Sequence, residues 1–316
     1  MTSKRISPLL CTAALFLATQ LAAQDLPTAA PNTKVELDWL SMPSDVAIGM
    51  GGQVHVVDGG NHQVAVFDAA GTRLTSLGML GSKEGQFLSP LGIGASRKGE
   101  IWVADKGNGR LVMFDVDGRP RRMIELQADG EDVVPIDVAV GPKGRELFVT
   151  DNASHRVTVF STKGEFLRAW GGEGEDDGQF RYPATIDIDA VGNVYVVDVL
   201  NARVQKFDSA GTHLLTIGKL GGKPGNFYRP KGVAVDDAGT IYVSDSFLGV
   251  VQVFNAAGAF QYVLGEEGVA TVYETPVGMA ASGNRLYVAQ MLAGKVAVLE
   301  LQAPPPPPPA EEEAAQ

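Results

Sequence analysis

The 316-residue sequence contains very little cysteine and more acid than base. Its single cysteine, Cys11, lies in an N-terminal segment that we expect to be removed. The mature chain would then have no disulfide, no cysteine-bound metal and no covalently attached c-type haem. Asp and Glu number 37 against 26 Lys and Arg. This excess of acid opposes nucleic-acid binding, because that function needs a surface that neutralises phosphate.

The N-terminal segment has the pattern of a secretory signal peptide. Residues 1–23 begin with Lys4 and Arg5, continue with an apolar stretch interrupted by Ser, Pro, Thr and Gln, and end in small residues. The interruptions disfavour a retained membrane anchor, and Leu10 before Cys11 disfavours lipidation. We expect a secreted or periplasmic protein with no membrane span after cleavage. Its 24 basic and 37 acidic residues would give a formal charge of −13.

The C-terminal end is a spacer. Residues 303–316 are a run of prolines followed by an acidic stub, which is typical of a semi-rigid polyproline segment rather than of a folded core. Roughly 270 residues remain between the two ends, and a chain of that size can bury its own core.

The region between the ends repeats six times. Each unit opens with a proline before a short apolar segment, and the intervals between these prolines are 47, 45, 48, 47 and 46 residues. The six prolines are Pro43, Pro90, Pro135, Pro183, Pro230 and Pro276. A second marker is an apolar run that ends in Asp in five units and in Gln in the sixth: Asp58, Asp105, Asp151, Asp198, Asp245 and Gln290. A fixed period near 45 residues indicates a repeat architecture.

Each unit is predicted to form four short strands. The runs are rich in β-branched and aromatic residues, and Gly, Asn and Asp separate them. Six such units predict an all-β protein, a six-bladed β-propeller. The sixth unit supplies only three strands (277–281, 286–289 and 295–301). We therefore expect residues 34–40 to pair beside 295–301 and to close the ring.

The repeat resembles the NHL repeat. The motif Asp-x-x-Asn-x-Arg occurs in VADKGNGRLVMFD and VVDVLNARVQKFD, the proline entry in PLGIG and PKGVAVD, and a GQF or GNF close in several units. This resemblance covers residues 34–302 and implies an NHL-type six-bladed propeller. It implies little about function, because such propellers include scaffolds, RNA binders and lyases.

The glycine-rich stretch AWGGEGEDDGQF (169–180) is interpreted as a structural loop. Its acids would repel phosphate, and its spacing does not match a calcium loop. Two other units carry loops of the same length and glycine frame with different charges, in LGMLGSKEGQF and IGKLGGKPGNF. The repeated strand-ending Asp is likewise expected to accept backbone N–H bonds and to pair with the Arg five residues later.

The inner strands contain the candidate ligand site. On the channel-facing side, five of six deeper positions are Gly or Ala and the sixth is Asp187. Asp187 with Asp45, Asp137 or Thr185 could hold a cation such as calcium, the one cofactor candidate. The alternative is that Asp45 and Asp137 cap turns and that Asp187 is hydrated in the channel. The histidines that NHL-like amidating lyases use for zinc are missing at the corresponding positions, which are Ser44, Leu91, Ile136, Ala184, Lys231 and Val277.

Two surface features are candidates for partner binding. The loops between second and third strands are apolar in units four to six and polar or small in units one to three; the apolar residues are Val199, Leu200, Phe247, Leu248, Met291 and Leu292. They could form a docking patch or fold over the blade edges. The opposite turns of units two and three collect basic residues that could meet an anionic partner or remain solvated: Arg97, Lys98, Arg119, Arg121, Arg122, Lys143, Arg145 and Lys163.

The sequence therefore predicts a propeller that binds another envelope or extracellular protein and acts as a scaffold. The alternative is a propeller-type lyase or lactonase with a cation in the central channel. Such an enzyme would combine several Asp, Glu, Asn or His at the starts of its inner strands. This chain offers Asp45, Asp137 and Asp187, and no nucleophile–base pair is recognisable in the sequence.

Overall fold

The computed structural model describes residues 27–30 and 32–301, and it shows the six-bladed propeller that the repeat predicts. The predicted signal peptide (1–23) and the proline-rich tail (303–316) lie outside the described residues. Each blade is an antiparallel sheet of four strands, with the repeated proline at the start of the innermost strand. The proline is tolerated there because the first residue of a strand need not donate to the ladder.

The strands are short and follow the sequence units. In blades 1 to 3 they are Pro43–Ile48, Val54–Asp58, Gln63–Phe67 and Arg73–Leu77; Pro90–Ala95, Ile101–Asp105, Arg110–Phe114 and Pro120–Glu125; Pro135–Val140, Glu146–Asp151, Arg156–Ser161 and Phe166–Gly171. In blades 4 to 6 they are Pro183–Ile188, Val194–Asp198, Arg203–Phe207 and His213–Ile217; Pro230–Val235, Ile241–Asp245, Val250–Phe254 and Phe260–Glu266; Pro276–Ser282, Arg285–Gln290, Lys295–Glu300 and, from the N-terminal side, Asn32–Leu37.

The ring is closed by the N-terminal strand, as predicted. Asn32–Leu37 pairs antiparallel with Lys295–Glu300 and becomes the outer strand of blade 6. The strand ends earlier than the predicted residue 40, because Trp39 adopts a left-handed backbone conformation with φ 61°. Leu37 is buried in the core between blades 6 and 1, so closure also buries apolar area.

Two faces of the propeller can be distinguished. The face that we call the loop face has the connections from each outer strand to the next inner strand and the connections from second to third strands. The turn face has the tight turns that join first to second and third to fourth strands. Within residues 27–30 and 32–301 there are four short 3-10 helices, at Met50–Gly52, Gly59–Asn61, Lys106–Asn108 and Val199–Asn201.

The cores lie between neighbouring blades. Six clusters of buried apolar side chains each join two adjacent sheets. The strand-ending aspartates lie on the loop-face side of these cores. Their contacts confirm the prediction that they accept backbone N–H bonds and pair with the Arg five residues later. Asp105 accepts from the Leu88 amide and pairs with Arg110 at 2.9 Å, and Asp198 pairs in the same way with Arg203.

The glycine-rich loops are held by these arginines. Arg203 donates to the backbone carbonyls of Asp176 and Gln179 within the stretch 169–180, and Asn201 donates to that of Gly174. Arg110 donates to the equivalent carbonyls in the preceding unit. The glycine-rich loop 169–180 is therefore held in place by the blade that follows it.

Several two-residue strands outside the repeat were not predicted from the sequence. Thr28–Ala29 pairs parallel with the outer strand of blade 5, and Val269–Ala270 pairs with the end of the same strand. A two-residue ladder joins Gln127–Ala128 to Glu131–Asp132 in the loop before blade 3. Segments of two residues carry too little periodicity to be recognised from sequence.

Candidate functional site

Exposed large apolar side chains are concentrated on the loop face. The described residues include eighteen exposed large hydrophobics, and eleven of them lie on this face: Trp39, Met42, Met79, Leu80, Leu88, Tyr182, Leu200, Leu220, Val269, Val272 and Leu292. Three lie on the turn face and four on outer strands. Scattered exposed apolar residues are ordinary, but their concentration on one face is typical of an interaction surface.

The predicted apolar patch of blades 4 to 6 is only partly at the surface. Leu200 and Leu292 are exposed. Val199 and Leu248 are 7% and 3% exposed and pack into blade cores, so their predicted role as partner anchors is wrong. The side chains of Val199 and Leu248 point inward, and the backbone of each loop is fixed in that orientation by its own amides. Leu248 N–H donates to Asp245 of the same blade, and Val199 N–H donates to the Tyr182 carbonyl of the preceding loop.

Phe247 and Met291 are half-buried. Phe247 packs against Tyr228 with ring centroids 5.4 Å apart and borders a small buried cluster. Met291 packs against the core between blades 6 and 1. These two side chains fold over the blade edges, which is the alternative that the sequence had left open. The apolar surface instead continues around the ring into blades 1 and 2.

The ring closure contributes the most exposed aromatic residue of this face. Trp39 is 86% exposed, and its positive φ is uncommon for a bulky side chain. The segment that follows is fixed on both sides: Leu40 N–H donates to the Gly294 carbonyl in blade 6, and Gly60 N–H in blade 1 donates to the Ser41 carbonyl. A rigid backbone therefore presents Trp39 to solvent. Trp39 lies within residues 34–40, which the sequence pattern predicts to be a strand.

Tyr182 and Leu200 form an exposed apolar pair at blade 4. Tyr182 is held by its amide, which donates to Nδ1 of His155 at 3.1 Å, and the two rings are in edge contact. Leu200 is beside it, since its amide donates to the Arg181 carbonyl. His62 accepts from Ser89 N–H in the same way in blade 1. These two histidines therefore hold loops in place.

The loop face is acidic. Among its described residues twelve acids are exposed: Asp38, Glu84, Asp129, Glu131, Asp132, Glu173, Glu175, Asp176, Asp177, Glu266, Glu267 and Glu274. Five exposed bases accompany them: Lys83, Lys106, Lys219, Lys223 and Arg229. This balance favours a partner with basic groups and opposes an anionic lipid surface.

The predicted basic patch lies on the turn face and is partly neutralised. Arg119 pairs with Asp117, and Arg121 pairs with Asp115 at 2.6 Å. Arg122 donates to the Thr162 carbonyl of blade 3. Lys163 lies in the adjacent turn of blade 3, and the remaining members, Arg97, Lys98, Lys143 and Arg145, are exposed. An anionic partner would meet alternating charges rather than a continuous basic surface.

The central channel brings the inner-strand carboxyl groups together. A cavity of about 360 Å³, lined by inner-strand residues from all six blades, includes Asp45, Asp137, Thr185 and Asp187. Asp45 and Asp137 are buried, whereas Asp187 keeps some surface toward the cavity although it lies deep in the protein. The sequence correctly grouped these four residues in one cavity.

These polar groups join neighbouring blades. Asp45 accepts from the Ile93 amide of blade 2, Asp137 from the Ile186 amide of blade 4, and Asp187 from the Val235 amide of blade 5. Thr185 accepts from the Val233 amide and donates to the Lys231 carbonyl. Each bond connects one inner strand to the next and satisfies a backbone amide or, at Lys231, a backbone carbonyl.

Burial changes the ionisation of the channel acids. Burial, with a like charge on Asp137, raises the pKa of Asp45 well above its ordinary value. The pKa of Asp137 rises to about 6 and that of Asp187 to about 7, in both cases mainly through burial. Asp45 and Asp137 hydrogen-bond to each other, which requires one shared proton.

Comparisons with known proteins agree with the fold and the repeat. A family model described as NHL repeat matches residues 40–67, and one described as 6-bladed beta-propeller (DUF5128) matches residues 139–228. The chain is 31% identical over 122 residues to Protein brain tumor of Drosophila melanogaster, a match that covers 38% of this chain and 11% of that protein. The chain thus spans about a tenth of the length of that relative.

Solved structures of enzymes share the architecture. A gluconolactonase from Xanthomonas campestris superposes with a TM-score of 0.64 at 15% identity, covering 88% of this chain and 96% of the other. Catalytically inactive virginiamycin B lyase from Staphylococcus aureus, solved with quinupristin, has a TM-score of 0.60 at 15% identity and covers 82% and 80%. At this identity the similarity shows the fold alone.

Proposed function

Because the chain is a six-bladed β-propeller of NHL-type repeats, we propose that it is a secreted or periplasmic scaffold whose loop face binds another envelope or extracellular protein. The observation that carries this proposal is the concentration of eleven exposed apolar side chains on that face. The apolar, Lys-Arg-initiated residues 1–23 support the location. No helix in the described ranges is long and apolar enough to cross a membrane.

The surface indicates the chemistry of the partner. Trp39, Tyr182 and Leu220 are residues of the size and type that anchor interfaces, and Leu220 is 70% exposed at the tip of a glycine-rich loop. The surrounding acids would pair with basic groups at the rim. The partner is therefore a protein with apolar pockets bordered by Lys or Arg.

Capture from the matching envelope or extracellular fraction, followed by chemical cross-linking, tests the proposal. The bait is the protein without residues 1–23, and the matched variants are Leu220→Ser on the loop face and Val191→Ser on the turn face. Val191 is the suitable control because it is 84% exposed. We expect one protein to be captured by the wild type and by Val191→Ser and to be lost with Leu220→Ser. Equal capture by all three would refute a loop-face site.

The alternative proposal is a lyase or lactonase with a cation in the channel. It is supported by the cavity that gathers Asp45, Asp137 and Asp187. The carboxyl oxygens of these acids also accept backbone amides, so a cation would have to share them with those amides. In the described part of the chain, no three His, Cys, Asp or Glu are grouped to hold a metal.

A calcium titration shows whether Asp187 binds a cation in the channel or is only hydrated there. Calcium from about 0.01 to 10 mM spans the weaker extracellular affinities, and a ligand that binds the folded state raises the melting temperature. An increase that disappears in Asp187→Ala would support the channel cation. A flat response would leave Asp187 as a hydrated channel residue.

A further inference from the structure

The last described residue, Leu301, lies on the turn face. It follows the third strand of blade 6, and its amide donates to the Asn284 carbonyl in the turn between the first two strands of that blade. The proline-rich tail (303–316) continues from this point with six prolines, Ala310 and three glutamates at 311–313. The tail therefore starts beside the turns of blade 6, next to blades 1 and 5.

The turns that join first to second strands differ in charge on the two sides of blade 6. In blades 4 and 5 their charged residues are all acids: Asp189, Asp236 and Asp237. In blade 1 this turn has no charged residue, and in blade 2 the exposed Arg97 and Lys98 outnumber the half-buried Glu100. A segment with three glutamates is therefore repelled on the blade 5 side and attracted on the blade 1 side.

A series of contacts leads from blade 6 to the basic turn of blade 2. Arg285, beside the turn at which the tail begins, donates to the Ala69 carbonyl of blade 1 at 2.7 Å. Met50 of blade 1 lies against Gly99 of blade 2, since a Cβ atom added to Gly99 would be 3.3 Å from the Cβ of Met50. Gly99 directly follows Lys98. The turns of blades 6, 1 and 2 thus form one connected surface.

A groove between blades 1 and 2 opens along this surface. It measures about 750 Å³, and its lining includes the exposed apolar side chains Met50, Leu74 and Val116. Proline rings are apolar, and a polyproline segment has no internal hydrogen bonds and little freedom to lose on docking. The groove therefore suits prolines better than a segment that needs a strand partner.

The acids in the groove lining are already engaged by this face. Asp68 accepts two backbone amides of its own turn. Asp115 pairs with Arg121, and Asp117 pairs with Arg119. These partners reduce the repulsion of a nearby anion, and the neutral prolines rather than the glutamates are the part of the tail that fits here.

The tail is long enough to reach blade 2. Ten residues separate Leu301 from Glu311, and at about 3.1 Å per residue a polyproline segment of that length extends about 31 Å. Packed sheets are about 10 Å apart, so two steps along the ring need about 20 Å. With the glutamates at blade 2, the prolines would lie over blade 1 and the groove.

We propose that the proline-rich tail docks on the turn face of its own propeller, with prolines 304–309 in the groove and glutamates 311–313 paired with Arg97 and Lys98. Both bases are exposed, and neither forms a salt bridge within the described residues. This site is on the turn face, so it is independent of partner docking on the loop face.

Disulfide formation between engineered cysteines tests the proposal, because the protein without residues 1–23 has no cysteine of its own. Ala310→Cys is combined either with Val116→Cys in blade 2 or with Ser209→Cys in blade 4. Val116 and Ser209 are both exposed and occupy the same position of the turn between third and fourth strands, two blades from blade 6 on either side. We expect the pair with Val116→Cys to close about fivefold or more faster, because docking raises the effective concentration of the tail thiol at blade 2.

Charge variants connect the cross-link to the proposed ion pairs. Arg97→Glu together with Lys98→Glu should remove the difference in rate between the two cysteine pairs. Lys143→Glu, in the exposed turn of blade 3, is the control and should leave the difference unchanged. All these substitutions are at the surface, and an unchanged melting temperature shows that each variant is folded.

Three results would overturn the proposal. The first is an equal rate of closure for the two cysteine pairs without charge variants. The second is a preference for blade 2 that survives reversal of Arg97 and Lys98. The third is a disulfide that forms between two molecules at a rate that rises with protein concentration, because the tail would then dock on a second copy of the chain.

Discussion

The carboxyl groups of Asp45 and Asp137 hydrogen-bond to each other, although their strands belong to blades 1 and 3. The inner strand of blade 2 allows this contact because its residue at the same level is Gly92, where a Cβ atom would collide with Asp137. Gly278 of blade 6 makes room for Asp45 in the same way. Gly92 and Gly278 therefore provide the space that the carboxyl groups of Asp137 and Asp45 occupy in the channel.

The first prediction concerns the pH dependence of stability. In the unfolded chain these acids ionise near their ordinary pKa of about 4, whereas burial raises the pKa in the folded protein, to about 6 for Asp137 and about 7 for Asp187. Their contribution to stability is fully present below about pH 4 and is lost as the pH rises to about 7. Denaturant unfolding between pH 4 and 8 should show this decline.

Asp45→Asn should reduce the decline. Asparagine can accept the Ile93 amide and donate to Asp137, so it imitates the protonated acid without ionising. At pH 8 we expect the free energy of unfolding to rise by about 1 kcal/mol or more, since one unit of pKa corresponds to about 1.4 kcal/mol. A loss of stability that is the same at pH 4 and pH 8 would show that the two acids do not share a proton.

The second prediction concerns the ion pair beneath the glycine-rich loops. Arg110→Ala leaves Asp105 buried without its cation, which should cost about 3–5 kcal/mol. The matched control is Arg119→Ala, because the Arg119–Asp117 pair is exposed and should contribute about 0–1 kcal/mol. Chemical denaturation of both variants measures the difference. Similar small losses in both would contradict the structural role of the repeated Asp–Arg pair.

The third prediction concerns ring closure. Leu37→Ala should destabilise the protein by about 2–5 kcal/mol, because the side chain is buried between blades 6 and 1. About 1 kcal/mol moves the melting temperature of a domain near this size by about 2–4 °C. Asp38→Ala, one residue later and exposed, is the control and should melt like the wild type. An unchanged melting temperature in Leu37→Ala would mean that the closing strand is dispensable.

The repeat made most of the fold predictable. The spacing of Pro43 to Pro276 and the strand-ending aspartates determine blade number, strand order and the position of the closing strand, because each property follows from a periodic local pattern. The Arg203–Asp198 pair was predictable for the same reason. The two-residue strand Thr28–Ala29, which pairs with blade 5, was not, since two residues carry too little periodicity to be recognised.

The candidate surface was less predictable than the fold. Sequence correctly identified apolar residues at unusual loop positions, but burial depends on where each short loop turns, and Val199 and Leu248 turn inward. Trp39 was missed because its strand-like neighbours concealed a left-handed residue.

The affinity of the captured partner for Trp39→Ala is the sharpest test of a binding site on the loop face. Trp39 is almost fully exposed, so its removal should change the free energy of unfolding by less than about 0.5 kcal/mol. As an interface anchor it should weaken binding by about 2 kcal/mol or more, while Val191→Ala on the turn face leaves the affinity unchanged. If Trp39→Ala binds the partner as tightly as the wild type does, the loop face is not the binding site.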